Sequence, residues 1–204
     1  MNTPVFATAY FPPVIYLQEL IKHGSVFIEA HEHFQKQTYR NRCEILNANG
    51  VQTLSVPLFQ THQKVKTGLV QISFAQNWKL NHWRSIESAY NRSAYFEFYK
   101  DELKDLFFEK EKYLLVFNTK ILLWVLKQLK VKNNINFTED YLKSIEDGSD
   151  CKYLSSAEKA TAWNCKKYPQ VFSYKTDFIP GLSCIDLLFN CGPDSIYYLQ
   201  DRIG

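Results

Sequence analysis

The sequence is poor in the signatures that announce a reaction. Seven glycines occur in 204 residues, and none forms part of a GxGxxG, Walker A or GxSxG pattern. The dinucleotide-binding, P-loop and serine-hydrolase readings therefore lack the backbone turns they need. Five cysteines, Cys43, Cys151, Cys165, Cys184 and Cys191, form an odd set with no CxxC pair and no zinc-ligand spacing. Reduced thiols serving mostly as small core residues are expected, not a disulfide framework. Nowhere do about 18 apolar residues run uninterrupted, and the opening MNTPVFATAYFPPV has neither the positive region nor the continuous apolar stretch of a signal peptide. A soluble, cytoplasmic protein without a membrane span is expected. Charge of one sign is scarce as well: 24 basic and 21 acidic residues are interspersed, for a net charge of +3. That balance offers no broad field for a nucleic-acid backbone, so no nucleic-acid partner is expected.

What is present suffices for one core. Hydrophobic residues make up 46% and aromatics 16% of the chain, and the length fits a single domain spanning 1–204. Val5 to Tyr10 is a short β-favouring run halted by Pro12-Pro13. Val14 to Lys22 then carries Ile15, Leu17, Leu20 and Ile21 at helical spacing, and Ser25 to Ala30 resumes as a strand. This opening predicts a βαβ unit with parallel strands, whose Tyr10 loop lies at the carboxyl end of the first strand, where open α/β sheets hold ligands. Arg42 to Ala48 and Val51 to Pro57 flank Asn49-Gly50, which suits a two-residue hairpin turn. Setting Ala48 opposite Val51 places Cys43 opposite Val56 and Ile45 opposite Leu54, with Cys43 inward and Arg42 on the other face. Leu69 to Phe74 reads as a further strand. Helices are predicted from Asn81 as N-cap through Trp83, Ile86 and Tyr90, over Tyr95 to Phe108, and over Glu111 to Val131. Asn133 to Asp150 is polar and ends in a loop at Glu146 to Asp150. Ser155 to Glu158 and Ser183 with Asp186 could each open a helix through a capping box, the latter ending at Gly192-Pro193. The fold class expected is α/β: a mixed sheet begun by βαβ, extended by the hairpin and covered by several helices.

The densest polar chemistry lies in EAHEHFQKQTYRNR, Glu29 to Arg42. Arg40 and Arg42, two apart on an extended segment, could present their guanidiniums together to a phosphate or carboxylate. The competing reading is a solvated hairpin edge with Arg42 paired to Glu44. Gln37, Tyr39 and Asn41 supply orienting groups beside them. Glu29, His31 and His33 alternate and could share a strand face that binds metal, although a polar hydrogen-bond network explains them equally, and no metal is assigned. His82, between Trp78 and Trp83, could act as a general base or be a covered helix-start histidine. Cys43 points inward and reads as a core thiol. No residue pattern names a cofactor, and the oligomeric state is not legible.

Several of these segments together resemble the WbqC-like protein family. The resemblance rests on YFPPVIYL at Tyr10 to Leu17, on Gln35 to Arg42, on LSVP at Leu54 to Pro57, and on Trp78 to Tyr90 followed by Ser93-Ala94-Tyr95-Phe96. It extends through Phe178 to Ser183 and Asp186 to Asn190. Many relatives carry acidic residues and a glutamine after the second strand, where this chain has Glu29, His31 and Gln35 in a different arrangement. The resemblance implies a bacterial protein of surface-polysaccharide (O-antigen) biosynthesis, and a transferase acting on an anionic or nucleotide-linked substrate such as a nucleotide sugar. In that scheme Tyr10, Gln37, Tyr39, Arg40, Asn41 and Arg42 bind substrate, and Glu29 or His82 moves the proton. The alternative is a non-catalytic binding or assembly protein for a glycan intermediate or a biosynthetic partner.

Overall fold

The computed structural model describes residues 3–59, 64–142, 149–156 and 166–200. The chain opens as the spacing predicts: β1 (Val5–Ala7), α1 (Val14–Leu20) and β2 (Ser25–Glu29). β1 and β2 are parallel, with Val5 beside Phe27 and Ala7 beside Glu29. Pro13 sits at the N-cap of α1 with extended backbone, so the Pro12-Pro13 pair ends one element and admits the next. Phe11, between strand and helix, adopts φ of 41°, an uncommon conformation for a bulky residue that its surroundings must enforce. They do so through Ser183 Oγ, which donates to Phe11 O at 3.0 Å, and Cys184 N, which donates to Pro12 O at 2.8 Å. The loop expected to face a ligand is thereby sealed under the C-terminal part of the chain.

β2 is the central strand, flanked on its other side by β5 (Asn134–Phe137) in parallel. The sequence pattern marks this segment only as polar and predicts no strand in it. β5 is an edge strand whose Asn134, Asn136 and Phe137 are exposed, so it shows no apolar alternation; its place comes from pairing with β2. On the far edge, Val5 bonds Ser149 and Cys151 through its backbone, extending the sheet by a single bridge at Asp150. The rest of the expected loop, 146–148, and residues 157–158 of the expected Ser155 capping box lie outside the described residues, while Lys152–Ser155 form one 3-10 turn.

The hairpin, β3 (Arg42–Asn47) and β4 (Gly50–Ser55), forms its own two-stranded sheet and does not join the parallel one. Its register differs from the count: Cys43 faces Leu54 and Ile45 faces Gln52. The turn residues are Ala48 and Asn49. Asn47 decides this, since its Oδ1 accepts from Asn49 N at 2.8 Å and Gly50 supplies φ of 112° on re-entry. A slip of two preserves facing, so Cys43 and Ile45 remain fully buried. Leu69 to Phe74 forms no strand. A 3-10 turn at Thr67–Leu69 leads into backbone bonds that change partner, from Leu114 N to Val70 O and from Ile72 N to Lys112 O, both 2.9 Å. Val70 and Ile72 are buried all the same.

Three helices cover this framework: α2 (Trp78–Tyr90), α3 (Phe96–Phe108) and α4 (Leu114–Gln128). α2 begins earlier than expected, with Asn77 rather than Asn81 at the N-cap position. The predicted apolar face is the buried one: Trp83, Ile86 and Tyr90 meet Leu103 and Phe107 of α3 and Phe117 and Ile121 of α4 in a single core. α5 (Cys184–Cys191) is capped by Ser183 Oγ, which accepts from Ile185 N, and a short α6 (Ser195–Leu199) follows. Gly192 ends α5 with φ of 54° and lies against the Tyr95 ring, where a Cβ has no room. Asp186 does not complete a capping box; its carboxylate points into the core. Among the described residues, no helix is long and apolar enough to cross a membrane.

Candidate functional site

The polar stretch after β2 divides into an inner and an outer set. Glu29, fully buried, accepts from His31 N at 2.8 Å, Thr138 Oγ1 at 2.8 Å and Leu142 N at 3.4 Å. It thus ties the ends of β2 and β5 together. Arg40 is also internal at 2% exposure. Its Nε and Nη2 donate to Glu32 Oε1 at 2.8 and 2.6 Å, and its Nη1 donates to Ser155 Oγ at 2.8 Å. This is a buried, charge-assisted cluster joining the polar loop to the 149–156 segment. Arg40 therefore does not stand beside Arg42 in a hollow, because Glu32 and Ser155 take its donors. Tyr39 is buried as well; its hydroxyl donates to Glu44 at 3.1 Å, and its backbone O receives Tyr10 N at 2.8 Å. Burial and the adjoining Glu44 charge push its phenol well above the usual value.

The outer set lines a cleft of about 830 Å³ on the hairpin side. Asn41 and Arg42 belong to its wall, and Lys36, Gln37 and Lys64 line it as well. Among the described residues Arg42 forms no ion pair; Glu44, its expected partner, takes the Tyr39 hydroxyl. Arg42 Nε and Asn41 Oδ1 are buried without a hydrogen-bond partner, while Asn41 Nδ2 donates to Val56 O at 3.0 Å. A buried polar atom without a partner costs free energy, and in this Arg42 Nε differs from the Arg40 guanidinium, whose nitrogens all donate. Gln37, also in the lining, holds φ of 62°. Val56, Pro57 and Val70 add apolar lining, and among the described residues the cleft wall carries three cations and no carboxylate. Gln37, Asn41 and Arg42 were singled out in the sequence. Lys36, Lys64 and Gln71 were not, since the fold assembles them from separate segments with no local pattern.

Tyr10 and His82 stand in the interior. The Tyr10 hydroxyl lies 2.9 Å from His82 Nδ1, and the Tyr10 ring packs on Phe11 and Phe117. Desolvation pushes the His82 imidazole down to about 4, opposed by a backbone hydrogen bond at Ser55. It is a neutral, covered histidine with Trp78 edge-on at 5.1 Å. Neither Tyr10 nor His82, nor Glu29, lines the cleft. Cys43 is the core thiol that was expected, its ionisation pushed up by burial. Among the described residues, no three His, Cys, Asp or Glu side chains are grouped to hold a metal ion.

A second polar cluster escaped the sequence reading. Asp186, fully buried, accepts from Tyr90 and Tyr168 hydroxyls at 2.8 and 2.9 Å and from Gln170 Nε2 at 3.3 Å. Desolvation raises its carboxyl to about 6 against those three donors. Lys79 is likewise covered: its Nζ donates to Glu109 O at 2.6 Å and lies 4.7 Å from the Phe117 ring centre. Burial brings its ammonium down to about 8.

Comparison with known proteins gives this architecture a family. The chain is 23% identical over 222 aligned residues to the uncharacterized protein Rv1507c of Mycobacterium tuberculosis, covering 94% of this chain and 91% of that protein. No solved structure matches it. The model of the WbqC-like protein family matches residues 8–164 and 159–198, a span that contains the cleft wall, the Arg40 cluster and α5. The chain belongs to the WbqC-like protein family.

Proposed function

We propose that this protein binds an anionic or nucleotide-linked small molecule in the hairpin-side cleft and acts on it as a transferase of surface-polysaccharide precursor metabolism. The observation that carries the binding step is the cleft itself: Arg42, Lys36 and Lys64 share a hollow lined, among the described residues, by no carboxylate. A guanidinium at a half-buried wall holds a phosphate or carboxylate in fixed geometry, and flexible lysines at the rim add attraction that salt screens. Asn41 and Gln37 orient the ligand's polar groups. Arg40 and Tyr39 act behind the wall, holding the loop that carries Asn41 and Arg42.

A second reading, a non-catalytic binding or assembly protein for a glycan intermediate, is favoured by one observation. Glu29 and His82, the groups expected to move a proton, are enclosed away from the cleft with their hydrogen bonds made. A thermal-shift panel of nucleotide sugars, followed by product analysis of each stabilising compound, separates the two. A transferase raises its melting temperature with a ligand and converts it in the presence of an acceptor. A binding protein returns the ligand unchanged. Absence of stabilisation by every anionic compound in the panel contradicts both.

A further inference from the structure

The cleft has a second half that an anion alone does not occupy. Phe59 and Leu69, both in its lining, are 66% and 61% exposed. Single exposed apolar side chains are ordinary. Here two of them converge on one hollow that also holds three cations, and backbone bonds fix them there. Phe59 N donates to Gln71 O at 2.9 Å and Ser73 N to Pro57 O at 2.8 Å, with a bridge between Leu58 and Ile72. The stitched 57–59 and 71–73 segments hold the backbone that carries Phe59, and its ring is left exposed. Val65, held by Phe34 N donating to its O at 2.9 Å, stands at the same rim. Among the described residues the apolar lining is mainly aliphatic, with Leu58, Val65, Leu69 and Val70 beside two rings, Phe34 and Phe59. A wholly polar ligand leaves this half wet. The aliphatic side chains outnumber the rings among the described lining, which suits an alkyl chain better than a flat base. The volume is that of a site for one small molecule.

We propose that the occupant is an amphiphilic anion, a phosphate-type head joined to a short aliphatic chain, with the head on Arg42 and the chain over Phe59, Val65 and Leu69. This assignment rests on the anion-binding reading above and narrows it. Apolar contact strengthens binding in proportion to the surface removed from water, and the charge contact fixes which end lies where.

The test is calorimetric titration of the full chain with octyl phosphate, inorganic phosphate, octan-1-ol and UDP-glucose. It is repeated on Arg42→Ala and on the double variant Phe59→Ser/Leu69→Gln, whose exposed positions leave the core untouched. Octyl phosphate is expected to bind at least about ten-fold more tightly than phosphate or octanol. Arg42→Ala is expected to lower that affinity about ten-fold. The double variant is expected to bring octyl phosphate down to the level of inorganic phosphate. If UDP-glucose binds more tightly than octyl phosphate and the double variant is harmless, the amphiphile is overturned while anion binding stands. If octyl phosphate binds no better than octanol and Arg42→Ala changes nothing, the anion-binding reading falls too. Sedimentation with phosphatidic acid vesicles is the control for source: tight vesicle capture without octyl phosphate binding overturns a soluble ligand in favour of a bilayer headgroup.

Discussion

Arg40 and Arg42 are two residues apart, and the fold uses them in opposite ways. Arg40 is 2% exposed with donors satisfied by Glu32 and Ser155; Arg42 is part-buried in a cleft wall with Nε unpartnered. The region around Arg40 is a closed polar network that holds chain segments together. The region around Arg42 is an open one, where Arg42 Nε and Asn41 Oδ1 lack protein partners. The difference shows that density of hydrogen-bonding residues in a sequence marks a polar region, whereas the presence of an internal counter-charge decides whether it is structure or site.

The comparison breaks most visibly at Arg40. Arg40→Ala leaves Glu32 buried without its cation and is expected to cost about 3–5 kcal/mol, read from urea denaturation. Replacing both partners with methionine removes the stranded charge, so the double variant should regain more than half of that loss. A cost below about 1 kcal/mol for Arg40→Ala contradicts a closed network.

The next effect is in pH dependence. His82 is depressed from 6.5 to about 4 by burial, so between those values the unfolded chain holds the extra proton. Its contribution is fully present above pH 6.5 and is lost as pH falls toward 4, a swing of about 3 kcal/mol. Asp186 has the opposite sign. Raised from 3.8 to about 6, it leaves the folded chain holding the extra proton, so its stabilisation is present below 3.8 and fades as pH rises through 6. Stability curves across pH 4 to 7 should therefore diverge: His82→Gln weakens less than the parent on acidification, and Asp186→Asn weakens more. Parallel curves for both variants contradict these environments.

Smallest in stability is Arg42→Ala, expected within about 0.5 kcal/mol of the parent because no internal partner is lost. A loss as large as that at Arg40 would show that the two arginines belong to one structural network and remove the distinction.

Much of the fold was legible. Apolar runs broken by Pro12-Pro13 and Gly24 gave the βαβ opening, and helical spacing gave the buried faces of α2, α3 and α4. The errors lie where a distant or side-chain partner overrode local pattern. The hairpin register was set by the Asn47 side chain, β5 by its pairing with β2, and the Leu69 to Phe74 segment by bonds to Lys112 and Leu114. The same holds for the site. That Asn41, Arg42 and Gln37 line one cleft was legible because they sit in one polar stretch. The fate of Arg40 could not, since Ser155 lies 115 residues away. Tyr10 was placed at a strand end as predicted, but Ser183 and Cys184 close over that end from the C-terminal part of the chain.

The central claim is that Arg42 supplies the fixed cation of a ligand cleft while Arg40 holds the fold. Titrating octyl phosphate into the parent and Arg42→Ala, with circular dichroism confirming equal folding, tests it most directly. The account predicts saturable binding to the parent and about a ten-fold weaker Kd for the variant; equal affinities would contradict it.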